Sequence, residues 1–177
     1  MFLELVATLF AGIGAAGLMM LVTHLTGRLT GRRLPKSLTP IAAGAAMIIA
    51  TISSEYGWFE RTRDTLPEGL TIIETVESKA FYRPWTYAWP YTERFVALDT
   101  SSVRTNQKLP DMRMADLFFY GRWSPVNRMT VMADCVAKRR APLVDAIEFD
   151  DDGNVQGADW ITVSEADPTL AAICEVP

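Results

Sequence analysis

Histidine is nearly absent from this chain: it occurs once in 177 residues, and not at all beyond position 24. That absence removes Ser-His-Asp and Cys-His machinery, most zinc hydrolase sites and covalent haem attachment from everything C-terminal to it. Cysteine occurs only twice, which excludes a cysteine-rich scaffold and an all-cysteine zinc site. Neither Gly-x-Gly-x-x-Gly nor a Gly-Lys-Ser/Thr phosphate loop is present. The net charge is −4, so the chain lacks the basic surface that nucleic-acid binding requires. No Lys or Arg precedes the first apolar run, which argues against a cleaved signal peptide with its basic leading region.

Long apolar runs, by contrast, are present. From Leu5 to Leu25 no residue carries a formal charge, and 21 residues at about 1.5 Å each cross a hydrocarbon layer of about 30 Å. A second uncharged run extends from Leu38 to Ser54, with Pro40 in its first turn and Tyr56, Trp58 and Phe59 following as an interfacial aromatic belt. Two transmembrane helices, about 5–25 and 38–54, are therefore expected. The loop between them, 26–37, carries Arg28, Arg32, Arg33 and Lys36 and no acid. A short, purely basic loop belongs on the cytoplasmic side, so both termini and everything after the second helix are expected on the periplasmic side of a bacterial inner membrane. Ala7, Ala11 and Ala15, Gly12 and Ala16, and Ala42, Ala46 and Ala50 recur at four-residue spacing. Such small faces let helices associate, with each other as a hairpin or with a second integral membrane protein. His24, one turn from the cytoplasmic end, reads as a neutral or snorkelling interfacial residue, because there is no second histidine to complete a haem site.

The mean hydropathy of +0.11 averages over two unlike parts. Residues 1–59 hold four basic and two acidic residues, whereas 60–177 hold 13 Lys and Arg against 19 Asp and Glu, a net charge of −6. The expected fold is a membrane-anchored α+β chain: a two-helix hairpin, a polar connector at 60–69, then a β-rich, mostly antiparallel exported domain with a short C-terminal helix. Strand-forming runs fall at 70–76, 81–89, 94–98, 117–123, 127–136, 143–149 and 160–163. In the fifth run Met129, Val131, Ala133 and Cys135 alternate on an apolar face. Asp150-Asp151-Asp152-Gly153 reads as a hairpin turn rather than a calcium loop, since Ile161 stands where the twelfth-position Glu would be.

Asp167 followed by Pro168 marks a helix start, and Leu170, Ile173 and Cys174 share one face of that helix. Two inward cysteines in an oxidising compartment predict a Cys135–Cys174 disulfide, whose loop closure stabilises by about 4 kcal/mol.

The most unusual composition is Phe81 to Tyr91, with six aromatics and two prolines in eleven residues. Read as an extended edge segment, it places Trp85, Tyr87, Trp89 and Tyr91 on one face, a stripe suited to the domain's own core or to docking on a partner or the outer leaflet. Phe118, Phe119, Tyr120 and Trp123 form a second cluster, and Lys138-Arg139-Arg140 reads as an exposed basic turn. For catalysis the inventory leaves carboxylates (Asp116, Asp134, Asp145) or a Ser-Lys dyad (Ser101, Ser102, Lys108, Lys138), and no spacing singles them out. No catalytic residue, cofactor or metal is expected. The leading expectation is a non-catalytic accessory protein, a small subunit or assembly factor of an inner-membrane complex, in contact with lipid and with an integral membrane partner. The alternative is a membrane-anchored envelope enzyme working through carboxylates.

Overall fold

A computed structural model describes residues 2–31, 34–105, 109–144, 148–149, 155–164 and 166–176. Arg32, Arg33, Lys108, Asp145 and the hairpin turn expected at 150–153 lie outside the described residues. The chain divides into two compact units, 1–61 and 62–177.

The first unit is two long helices, α1 (Phe2–Thr30) and α2 (Leu38–Arg63). Both are long and apolar enough to cross a membrane, with mean hydropathies of 2.2 and 1.3 over their best stretches. Only 6% of each stretch is buried, a level of exposure that the core helix of a water-soluble domain does not show. The helices run antiparallel and touch at Glu4 and Ser54 and around Gly12. The Ser54 hydroxyl donates to the Glu4 carboxylate at 2.9 Å. Gly12 is buried, and a Cβ there would overlap the Met47 side chain, so glycine is what admits Met47. α2 runs nine residues past the expected end at Ser54. Tyr56, Trp58, Phe59 and the polar residues after them offer no helix breaker, so the helix continues to Arg63 and stops in the turns before Pro67. The connector is therefore shorter than 60–69.

The second unit is an antiparallel half-barrel with a short C-terminal helix. Its six-stranded sheet runs in the order β1-β2-β3-β4-β5-β8. The strands are β1 (Leu70–Ser78), β2 (Tyr91–Thr105), β3 (Met112–Gly121), β4 (Ser124–Asp134), β5 (Arg139–Pro142) and β8 (Ile161–Thr162). β6 (Glu148–Phe149) and β7 (Val155–Gln156) pair separately. The helix α3 (Pro168–Glu175) is capped by Asp167, whose carboxylate accepts the Leu170 N–H at 2.8 Å, with Pro168 in the first turn.

The core lies between α3 and one face of the sheet. Leu98, Ala115, Leu117, Val131 and Ala133 supply the sheet side, and Leu170 and Ile173 supply the helix side. Burying each of these larger aliphatic side chains contributes about 1.5–3 kcal/mol. Cys135 and Cys174 form a disulfide that ties the end of β4 to α3. The Arg113 guanidinium adds a second tie, donating to the carbonyls of Ile173 (3.1 Å) and Val176.

Three expectations are corrected here. The segment 81–89 is not a strand: Pro84 opens a 3-10 helix, Pro84–Tyr87, because its fixed φ suits a first helical turn. Met129 is exposed, so the alternation in β4 buries only Val131 and Ala133 on that face, while Met132 and Asp134 are buried on the other. Lys138-Arg139-Arg140 is not an exposed basic turn. Only Lys138 turns (φ 52°), whereas Arg139 and Arg140 are half-buried in β5, paired with Asp134 at 2.9 Å and Asp167 at 3.3 Å.

Candidate functional site

Strand register decides which aromatics meet. Ser78 pairs with Tyr91 at the end of β1, and Arg94 pairs with Gly121 where β3 turns into β4. The Arg122 N–H donates to the Glu93 carbonyl at 3.0 Å, fastening the β3–β4 turn beside the start of β2. The 79–90 connection and the 121–124 turn thus sit at one end of the sheet. Two aromatic clusters about forty positions apart in sequence become neighbours through antiparallel pairing.

The 79–90 connection is a tight knuckle. Thr86 is fully buried; its hydroxyl donates to the Arg83 carbonyl at 2.7 Å and accepts the Ala80 N–H at 3.0 Å. Backbone bonds from Thr86 to Arg83 (2.9 Å) and from Trp89 to Trp85 (2.9 Å) close the turns. With Thr86 turned inward, the neighbouring rings turn outward. Phe81 is 86% exposed, Trp89 69%, Tyr82 65%, Tyr87 62% and Trp85 40%. A 3-10 helix has three residues per turn, so Trp85, Tyr87, Trp89 and Tyr91 do not form the one-sided stripe of an extended chain. Tyr91 is half-buried in β2, and the other three project from the knuckle. None of the five knuckle aromatics belongs to the core.

Trp123 adds a sixth exposed ring at this end, with the Arg122 guanidinium 4.7 Å from its centroid. Arg83 lies 5.5 Å from the Tyr82 centroid, and Phe81 packs edge-on to Tyr82 at 5.6 Å. Such cation and ring contacts hold exposed aromatics in place at about 0.5–1 kcal/mol each. Of the second sequence cluster, Phe118, Phe119 and Tyr120 are half-buried in β3, where Tyr120 stacks on buried Phe95 at 4.7 Å. Beside them the core face opens into a groove of about 610 Å³ lined by Val76, Val96, Phe119, Asn127 and Met129.

The candidate acids and serines lie elsewhere in the domain. Asp116, on the face away from α3, accepts Arg128 at 2.6 Å and the Thr130 hydroxyl at 2.5 Å. Its backbone N–H donates to the Ser102 hydroxyl at 2.8 Å, which in turn donates to the Asp99 carbonyl at 2.7 Å. Burial raises the Asp116 carboxyl, but the Thr130 and Arg128 hydrogen bonds and the charges of Arg128 and Arg104 outweigh it. The group sits below its ordinary value of 3.8. A carboxyl held ionised in this way is an ion-pair anchor, not an acid poised to give up a proton near neutrality. Ser102, Arg104, Asp116, Arg128 and Thr130 line a pocket of about 110 Å³. Asp134 accepts Arg139 and the Ala137 N–H (2.9 Å), and Ser101 donates to Asp99 at 2.5 Å.

Of the membrane-face residues, Ala42, Ala46 and Ala50 are half-buried and Ala7 is exposed. Sequence spacing passed over Gly14, Gly17 and Gly44, at each of which a Cβ would meet open space. Their signal is glycine without a packing partner, visible only once the pairing of α1 and α2 is known. Arg28 and His24 are exposed on α1, and Lys36 is exposed before α2. No known family model, curated protein or solved structure matches the chain.

Proposed function

We propose that this chain is a membrane-anchored accessory protein, a small subunit or assembly factor whose two helices cross a bacterial inner membrane and hold the half-barrel on the periplasmic side. The observation that carries the reading is the division of labour between the two units. One is two apolar helices with lipid-type exposure, and the other is a disulfide-tied domain presenting six exposed aromatics at one end. Supporting the orientation are the basic residues Arg28 and Lys36 between the helices and a disulfide on the far side of α2, which suits an oxidising compartment. The small residues Gly14, Gly17 and Gly44, uncovered within the helix pair, are suited to close approach by a helix of a partner.

Solubilisation in mild detergent, a native gel and mass spectrometry test this reading. The chain is expected to migrate in stoichiometric association with an integral membrane protein, and Gly14→Leu with Gly17→Leu is expected to release it without unfolding the half-barrel. Migration alone at monomer size from several detergents overturns the reading. For topology, a protease applied to intact spheroplasts is expected to cut within the half-barrel, and complete protection overturns the orientation.

A further inference from the structure

Charge separates the aromatic end from the rest of its domain. Although residues 60–177 carry a net charge of −6, the rungs and turns around the knuckle hold Lys79, Arg83, Arg94 and Arg122 against Glu77 and Glu93. Lys79 and Arg94 are exposed, and Arg83 and Arg122 lie against Tyr82 and Trp123. A cationic, tryptophan- and tyrosine-rich tip on an acidic body is complementary to one kind of surface, anionic and amphipathic. Indole and phenol rings favour the level of lipid headgroups, and guanidinium and ammonium groups are drawn to anionic lipid there.

The chain also keeps the aromatic end near such a surface, although the tether joins β1 at its opposite end. Six residues, 64–69, separate α2 from β1. They span at most about 20 Å when extended. The eight residue steps of β1 carry the sheet about 26 Å from Leu70 to the aromatic end. On the membrane-anchored reading, on which this inference rests, a tether of that length keeps the tip at high effective concentration near its own bilayer.

We propose that the aromatic end, Phe81, Tyr82, Trp85, Tyr87, Trp89 and Trp123 with their four basic neighbours, docks on the anionic phospholipid surface of the membrane that holds the helices. Protein association then falls to the helices. Docking is reversible, since each basic residue near an anionic surface contributes only about fivefold to the docked population.

The test uses the full chain in vesicles of phosphatidylcholine with or without phosphatidylglycerol. Trp58→Phe and Trp160→Phe leave Trp85, Trp89 and Trp123 as the reporters, and lipids brominated on the acyl chain quench tryptophans that reach the interface. Strong quenching is expected with phosphatidylglycerol, falling at high salt and in vesicles of phosphatidylcholine alone. Lys79→Gln with Arg94→Gln, both at exposed positions, is expected to lower the docking equilibrium constant roughly twenty-five-fold. An unchanged near-ultraviolet dichroism spectrum shows that the variant is folded. Quenching that ignores lipid charge overturns the proposal, as does its absence. So does a photocrosslinker at position 89 that labels a protein in native membranes while the tryptophans stay unquenched by lipid. Extraction from the vesicles by alkaline carbonate overturns the anchored reading itself, whereas a retained chain with unquenched tryptophans overturns this inference alone.

Discussion

The two ends of the half-barrel sheet both carry large apolar side chains and put them to different use. At the end where β4 finishes, Val131, Ala133, Leu170 and Ile173 are buried, and the disulfide, Arg113 and the Arg140–Asp167 ion pair close over them, while Arg139 pairs with Asp134 on the opposite face. At the other end the six exposed rings are held by buried Thr86 and by backbone turns, and the groove beside them stays open. The closed end is where truncating a core side chain leaves a void, and at the open end truncating one of the six exposed rings removes surface, although Thr86 and Phe95 are buried beneath them. Stability and recognition are thus separated along the strands, which makes the two ends independently testable.

The largest effect is expected from the disulfide. Cys135→Ser, or reduction, frees a closed loop of roughly forty residues and is expected to cost about 4 kcal/mol, read as a lower urea midpoint for the half-barrel. Tryptophan emission from the open end should be unchanged in the native baseline. A shift of that emission would mean that the two ends are coupled. Next is Ile173→Ala, which empties the fully buried centre of α3 and is expected to cost about 3 kcal/mol by the same denaturation. If the loss is below about 1 kcal/mol, the site collapses around the change and α3 is not a rigid lid.

Between the two ends stands Asp116, and its effect is intermediate. Asp116→Ala leaves the Thr130 hydroxyl without its acceptor, while exposed Arg128 turns to water, at an expected cost of about 1 kcal/mol. The folded carboxyl lies below its ordinary value of 3.8. Its contribution is therefore fully present above that value and is lost as pH falls through the lower, folded one. Wild-type stability should decline in that acidic range, and the slope should be shallower in Asp116→Ala. Equal slopes would show that the ion pair adds nothing.

Much of this division was legible in the sequence, and the reasons are local. The two apolar runs, the Asp167-Pro168 helix start and the inward spacing of Leu170 and Ile173 depend on short-range pattern, and the structure carries α1, α2 and α3 there. The Cys135–Cys174 bridge followed from two cysteines that short-range pattern turns inward on a strand and a helix. The aromatic stretch was legible as a candidate docking segment, but its closeness to Trp123 was not, because the two meet only through the register of β2 with β3. Pro84 also admits either an extended segment or a helical first turn, and Thr86, an unremarkable residue in sequence, decides between them by its two hydrogen bonds. Arg139 and Arg140 were misread for the same reason: a basic run looks solvated until Asp134 and Asp167 are known to stand opposite it.

The smallest expected change in stability is also the sharpest test of the contrast. Trp89→Ala removes a ring that is 69% exposed and lies outside the core, so it should change the denaturation midpoint by less than about 0.5 kcal/mol. Trp85→Ala, at 40% exposure over the same knuckle, should cost slightly more. If either substitution costs as much as Ile173→Ala, the aromatic end is a second core and the division between the two ends fails. If both are nearly neutral, such a concentration of exposed rings at one end has no account in folding, and selection for contact with another surface is what explains it.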